Sequence, residues 1–343
     1  MSDFYKGIPR SVPIKKIIKE TEFVKTFVFD GDLGARPGQF VLLWLPRLDE
    51  KPISVSYCGE NEFWMTVFAV GPFSKKMHEL KEGDLVGVRG PYGSWYQYEQ
   101  GQRLVLVGGG YGAAPLYNLA EKASADGCEV DFVVGARGKE HLLFLDRIEK
   151  LPGVKLHIAT DDGSMGEKGF NTVLLQKLIE ENASKKGTDG FNSIACVCTC
   201  GPEKMMKRIS DMCLEAGIPA QVSLERYMKC GFGVCGQCCV DESGERMCKE
   251  GPVVSNEKAR SYPEFGKYHR DSVGKIKELG SLKIYLWTGI YCFSGRSCGP
   301  ACHTSLNKKL RSFRYCEKPC PLGFGFPLSN IFQSINKSKN ANL

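Results

Sequence analysis

The sequence predicts a multi-domain β and α/β protein: an N-terminal antiparallel β-barrel, a parallel α/β nucleotide-binding domain and a small cysteine-rich domain. Three observations predict it. Residues 8–100 carry short β-prone runs punctuated by Gly, Pro and Asp. Residues 101–222 alternate buried-type strands with helical stretches, the pattern of a parallel sheet covered on both faces. Residues 223–280 are rich in Cys and Gly, with little periodicity. The expected domains are therefore 1–100, 101–222 and 223–280, followed by a tail, 281–343.

In the first part the expected strands are Ile14–Ile18, Phe23–Phe29, Phe40–Leu45, Ile53–Tyr57, Phe63–Val70 and Leu85–Arg89. A helix around Ser74–Leu80 interrupts them, with Met77 and Leu80 on one face. In the second part, strand Leu104–Val107 runs into Gly108-Gly109-Gly110 and an Ala-rich helix, Ala113–Ala125. Then come strand Glu129–Val134, helix His141–Lys150, strand Val154–Thr160, helix Thr172–Glu181, strand Ser193–Thr199 and helix Pro202–Ala216.

Composition narrows the function. The chain has 343 residues, 42% apolar and 25% charged, which is globular composition. The formal charge is +7, but residues 281–343 hold nine Lys and Arg against Glu317 and carry +8, leaving the other 280 residues at −1. The body thus has no basic surplus calling for nucleic acid. No apolar stretch approaches the roughly 20 residues of a membrane helix. Met1–Lys6 has no apolar signal region, and the 16 cysteines suggest reduced thiols and metal ligation. A cytoplasmic location is the expectation.

Cys230, Cys235, Cys238 and Cys248 follow C-x4-C-x2-C with a fourth Cys ten residues on, which is plant-type 2Fe–2S spacing. Soft thiolates suit iron in a sulfide cluster, and Gly231, Gly233 and Gly236 let the loop bend around it. The alternatives are structural thiols or zinc, which usually takes paired knuckles where this loop has one. Cys239 reads as a spare thiol.

The turn holding Gly108, Gly110, Gly112 and Pro115 stands between a strand and a helix, where backbone N–H groups can meet a pyrophosphate. The alternative is a merely tight turn. Cys200-Gly201-Pro202 ends a later strand, either as a small thiol that can approach a nicotinamide or as a buried Cys at a Gly-Pro turn. Asp161 and Asp162 would repel a 2′-phosphate and favour NAD over NADP. Arg137 either meets a phosphate or is a solvated loop charge. Lys51-Pro52-Ile53-Ser54 opens a strand, and Gly71-Pro72-Phe73-Ser74 leads into a helix; together they can hold a second pyrophosphate, or be an ordinary strand start and helix cap.

The order of these motifs resembles the ferredoxin–NAD(P) reductase superfamily and, more closely, the electron transfer subunits of type B dihydroorotate dehydrogenase in their archaeal form. Ser223–Gly231, Arg246–Val253 and Glu264–Asp271 carry the closer match. The resemblance covers about residues 8–280 and implies FAD in the barrel, NAD at the α/β domain and a 2Fe–2S cluster on the four cysteines. It places Lys51, Pro52, Ile53 and Ser54 on the R-x-Y-S-type flavin motif, Phe68 and Ala69 along the flavin, and Gly71 and Ser74 at its phosphate turn. It places Cys200, as the catalytic thiol, with Gly201 and Pro202 at the nicotinamide. Lys51 for Arg turns a bidentate clamp into a point charge, and Ile53 for Tyr removes an aromatic contact. The implied partner is an FMN-containing dihydroorotate dehydrogenase catalytic subunit, in a heterotetramer with two of each, in pyrimidine biosynthesis. A reductase subunit of a sulfhydrogenase or sulfite reductase, or a non-enzymatic sensor, are the alternatives.

The tail stands apart. Its Cys292, Cys298, Cys302, His303, Cys316 and Cys320 match no metal motif, and poor order is the expectation for it.

Overall fold

The computed structural model describes residues 7–279, apart from 186, 189 and 191; the expectations for the tail lie outside the described residues. Six strands, β1 (Arg10–Lys19), β2 (Val24–Asp30), β3 (Phe40–Leu45), β4 (Asp49–Cys58), β5 (Glu62–Phe68) and β6 (Leu85–Tyr92), close an antiparallel barrel in the order β1-β2-β5-β4-β3-β6. Strand β5 shows why: its residues are alternately buried and half-buried, the period of two that puts Phe63, Met65 and Val67 inside. Helix α1 (Pro72–Glu79) buries Phe73 and Met77 in the same core.

Seven strands form the second sheet. They are β7 (Arg103–Gly109), β8 (Glu129–Ala136), β9 (Val154–Thr160), β10 (Glu167–Lys168), β11 (Ile194–Cys200), β12 (Ala220–Ser223) and β13 (Val253–Ser255), in the order β10-β9-β8-β7-β11-β12-β13. Strand β7 feeds the two faces alternately. Leu104 and Leu106 pack with helix α2 (Ala113–Ala125), whereas Val105 and Val107 pack with residues of helices α4 (Asn171–Lys185) and α5 (Glu203–Glu215). The chain leaves β7 towards β8 on one side and returns to β11 on the other, so a topological switch point lies between β7 and β11. Open α/β sheets bind ligands at the strand carboxyl ends there.

The sheet is parallel except at its edge, where β13, from the cysteine-rich segment, adds antiparallel to β12. That segment also supplies α6 (Asn256–Ser261) and the hairpin β14 (Tyr268–Arg270) and β15 (Ile276–Glu278). Its Cys238, Met247 and Phe265 share a core with Phe40, Leu42 and Tyr92 of the barrel, Met206 of α5 and Val222 of β12.

One expected helix is corrected. Residues 141–150 hold only the four-residue helix α3 (Leu145–Ile148), after a 3-10 turn at Lys139–His141. Leu142, Leu143 and Phe144 are drawn into the core, and Phe144 takes a φ of 62°, which breaks a continuous helix. Among the described residues no helix is long and apolar enough to cross a membrane.

Candidate functional site

The switch point brings the two glycine turns together. Cys200 of β11 is in register with Gly108 of β7. A Cβ on Gly112 would stand 2.2 Å from the Cys200 carbonyl oxygen, and one on Gly201 would stand 2.9 Å from that of Gly109. Backbone lies on backbone here, which only glycine permits. Gly110 has a φ of 55°, and a Cβ on Gly108 would meet the Ala113 Cα at 3.0 Å, so strand and helix are drawn close.

A cleft of about 650 Å³ runs from this point to the barrel. Lys51, Pro52, Ile53, Ser54, Phe68, Gly71 and Ser74 line it from one side, and Gly112, Pro115 and Cys200 from the other. Gly201 and Pro202 line an adjoining cavity of about 670 Å³. Gly108, Gly110, Ala69, Asp161 and Asp162 line neither of these. The Ala69 amide is taken by the Phe23 carbonyl at 2.9 Å.

The polar groups divide the work. The Lys51 ammonium pairs with Asp49 at 2.7 Å and lies 5.2 Å from the Tyr227 ring. Burial opposes its charge, but Asp49 outweighs burial and holds the lysine above its usual range. The Ser74 hydroxyl accepts from the amides of Val70 (2.9 Å) and Gly71 (3.0 Å), so it shapes the start of α1. The helix end can then offer backbone N–H groups to an anion. Cys200 is buried, and burial, with the nearby Glu225 carboxylate, pushes its thiol up to about 12. It is a neutral thiol at physiological pH. Glu225 opens onto the cleft, yet the surrounding protein holds its carboxyl above the ordinary range. Tyr111 spans the cleft: its hydroxyl donates to Glu225 at 3.4 Å and its ring stacks on Phe68, centroids 5.9 Å apart.

Asp161 and Asp162 follow β9, beside Arg137: their amides donate to the carbonyls of Ala136 and Arg137. Partial burial raises the Asp161 carboxyl, against the pull of Arg137, whereas hydrogen bonds from Ser164 lower Asp162.

The cysteine loop holds its thiols in two pairs, Cys230 with Cys235 and Cys238 with Cys248, each within hydrogen-bonding reach. Among the described residues no three such donors converge as a single ion would require. The Cys230 sulfur accepts from the amides of Val234 (3.3 Å) and Cys235 (3.5 Å), and the Cys238 sulfur from Cys248 N–H (3.4 Å). Burial works against the Cys230 thiolate, but these amides outweigh it and bring the thiol to about 6. The Cys248 thiol brings Cys238 to about 7. Burial instead raises Cys239. Gly231, Gly233 and Gly236 all have φ between 71° and 85°, so the loop turns in the left-handed region. Two cysteine pairs with amides aimed at sulfur suit a two-iron cluster, which takes two cysteines per iron.

Residues without a motif complete the site. Arg226 is buried between Glu203 (2.7 Å) and Glu264, tying α5 to the segment before β14. Arg89 of β6 reaches the cysteine loop from the barrel, donating to the Cys230 carbonyl at 2.7 Å. Both act across long sequence separations, and no local spacing marks them.

Comparison with known proteins agrees with this layout. Residues 225–259 match the model of the iron-sulfur cluster binding domain of dihydroorotate dehydrogenase B, and residues 106–211 match the oxidoreductase NAD-binding domain. A Methanocaldococcus jannaschii protein named as a probable dihydroorotate dehydrogenase B (NAD(+)) electron transfer subunit is 50% identical over 262 residues, covering 76% of this chain and 95% of that one. The Methanothermobacter thermautotrophicus protein of the same name is 47% identical over 273 residues, covering 78% and 97%. Among solved structures, an NADH-dependent reduced ferredoxin-NADP oxidoreductase studied for flavin-based electron bifurcation is 32% identical, with a TM-score of 0.62 over 72% of this chain and 88% of that one. The ferredoxin reductase of carbazole 1,9a-dioxygenase, at 19% identity and a TM-score of 0.52 over 61% of this chain and 66% of that one, shares the fold. By its domains, its cysteine loop and these relatives, the chain belongs to the family of dihydroorotate dehydrogenase B electron transfer subunits.

Proposed function

We propose that the chain relays electrons between a 2Fe–2S cluster, FAD and NAD, and passes them from an FMN-containing dihydroorotate dehydrogenase catalytic subunit to NAD+. One observation carries the reading: a single cleft is lined by Lys51–Ser54 and Ser74 of the barrel and by Gly112, Pro115 and Cys200 at the nucleotide turns. FAD held there supplies the conversion between hydride, which nicotinamide carries in pairs of electrons, and the single electrons of an iron–sulfur cluster. Lys51 and the start of α1 bind its pyrophosphate, and Phe68 lies along its ring. The Gly108–Pro115 turn binds the pyrophosphate of NAD, and Cys200, with Gly201 and Pro202, leaves a small neutral wall against which nicotinamide packs. Cys230, Cys235, Cys238 and Cys248 ligate the cluster. The assembly is a heterotetramer with two of each subunit.

The test is purification together with the dihydroorotate dehydrogenase catalytic subunit of the same source. The complex should hold FAD, FMN, two irons and acid-labile sulfide per pair of subunits, and NADH should bleach the flavin. Cys235→Ser should lose the cluster and keep FAD, because the ligand loop and the cleft draw on different segments. One zinc with no labile sulfide overturns the cluster assignment. A partner without dihydroorotate oxidase activity overturns the physiological one.

A further inference from the structure

The cysteine loop is not held by its own domain alone. Arg89, on β6, is buried, and its guanidinium is fully committed. Nε and Nη2 make a two-pronged pair with Glu50 of β4, at 2.6 and 2.5 Å. Nη1 donates to the Cys230 carbonyl at 2.7 Å and to the Tyr92 hydroxyl at 3.3 Å, and Nη2 also reaches the Lys229 carbonyl at 3.3 Å. The Phe232 ring lies 5.7 Å from the guanidinium carbon. Three positions around the first ligand, Lys229, Cys230 and Phe232, thus face one barrel cation.

A second pair flanks the loop from within its own domain. Arg246 donates to the Gly233 carbonyl at 2.8 Å and pairs with Glu250 at 2.6 Å. The two pairs differ in setting. The Arg89 and Glu50 side chains are 8% and 21% exposed, those of Arg246 and Glu250 38% and 26%. Charges taken out of water act more strongly on a neighbouring charge than those that solvent screens.

We propose that Arg89 is the positioning residue for the cluster loop and that the Arg89–Glu50 pair tunes the potential of the cluster this loop carries. The proposal rests on the cluster reading above. The guanidinium fixes the backbone at Cys230, and its fork cannot be replaced by a point charge. Reduction adds a negative charge to the cluster, so a cation nearby favours the reduced form and an anion disfavours it. Glu50 offsets most of the Arg89 field, and removing either partner unbalances it in a known direction.

The experiment is a redox titration of the cluster in the intact complex, followed by electron paramagnetic resonance, with iron release to a chelator as a second readout. Glu50→Gln, which keeps Arg89 in place, should raise the midpoint potential. Arg89→Met should lower it. Each shift should be about tenfold in the one-electron equilibrium, or about 59 mV. Arg89→Lys should hold the potential near that of the unmutated protein but release iron severalfold faster, separating charge from geometry. Arg246→Met, at the more exposed pair, should shift the potential less. Loss of the cluster from Arg89→Met alone supports the positioning role. An unchanged or lowered potential in Glu50→Gln, with the cluster full, overturns the tuning role. Iron release from Arg89→Lys at the unmutated rate overturns the positioning role. An unmutated protein without a reducible cluster overturns the cluster reading and this proposal with it.

Discussion

At the scale of single residues, the site separates thiols by environment. Cys200 is buried and neutral, whereas amide donors acidify Cys230, so two cysteines 30 positions apart have opposite chemistry. With Cys200 held near 12, roughly one part in ten thousand is thiolate at pH 8. Iodoacetamide at pH 8 should leave Cys200 unmodified in the folded protein, as peptide mass spectrometry would show; rapid labelling would refute the neutral wall. The same shift has a consequence for stability. The unfolded chain gives up this proton near the ordinary thiol pKa, before the folded chain does. The thiol's contribution is therefore present below that pKa and is lost as pH rises towards about 12. Cys200→Ala should accordingly lose less stability than the parent between pH 9 and 11. We propose that Asp161 sets the coenzyme preference: exposed beside Arg137 at the end of β9, its carboxylate would oppose the charge of a 2′-phosphate. NADH should exceed NADPH in kcat/KM, and Asp161→Ser should narrow the gap by about tenfold, the effect of about 1.4 kcal/mol. Equal values in the unmutated protein would remove Asp161 from that role. The motif cysteines and glycines were legible in the sequence because their spacing is local. Arg89 and Glu50 were not, since the contacts that give them meaning cross 141 and 39 positions.

Among elements, legibility follows the reach of the forces involved. Strands β3 and β9 and helix α2 have the bounds their apolar patterns predict, because each is decided by periodicity along its own length. The helix expected over 141–150 fails because three consecutive apolar residues are needed in the core, and burial overrides propensity. Strand β13 and the two strands of the β14–β15 hairpin are three residues each, too short to carry a period; pairing, not sequence rhythm, makes them strands. Between elements, Arg226 is the fastening. Glu203 at the start of α5 also accepts the Gly266 amide at 2.9 Å, and Glu264 accepts the Asp241 amide at 2.9 Å. One cation therefore holds helix α5 and the cysteine-rich segment in one arrangement. Removing it leaves two buried carboxylates without their cation. Arg226→Met should cost about 3–5 kcal/mol, read as a lower denaturant midpoint, because breaking a buried pair strands the partner's charge. A change within about 0.5 kcal/mol would show that water reaches the pair and screens it.

At the scale of the whole molecule, the barrel, the nucleotide sheet and the cysteine-rich segment are one piece of architecture. Phe40, Val222 and Cys238 share a core, and β13 extends the nucleotide sheet. This matters for a relay, since fixed spacing between electron carriers needs packed walls. The three parts lie together in one compact unit. Every residue assigned to the cleft, the glycine turns and the cysteine loop lies within it. The remaining stretch concentrates the basic charge: without residues 281–343 the chain is at −1. Its cysteines have no knuckle spacing, and its Trp287 and Tyr291 belong to no apolar stripe. Deletion of residues 281–343 should therefore leave FAD content, iron content and NADH oxidation with an artificial acceptor within about 20% of the full chain, a margin well below the severalfold loss that about 1 kcal/mol would cause. The measurement compares the two proteins purified with the same partner. Loss of iron on truncation, or stoichiometric metal on any of Cys292–Cys320, would instead make the tail part of the redox machinery.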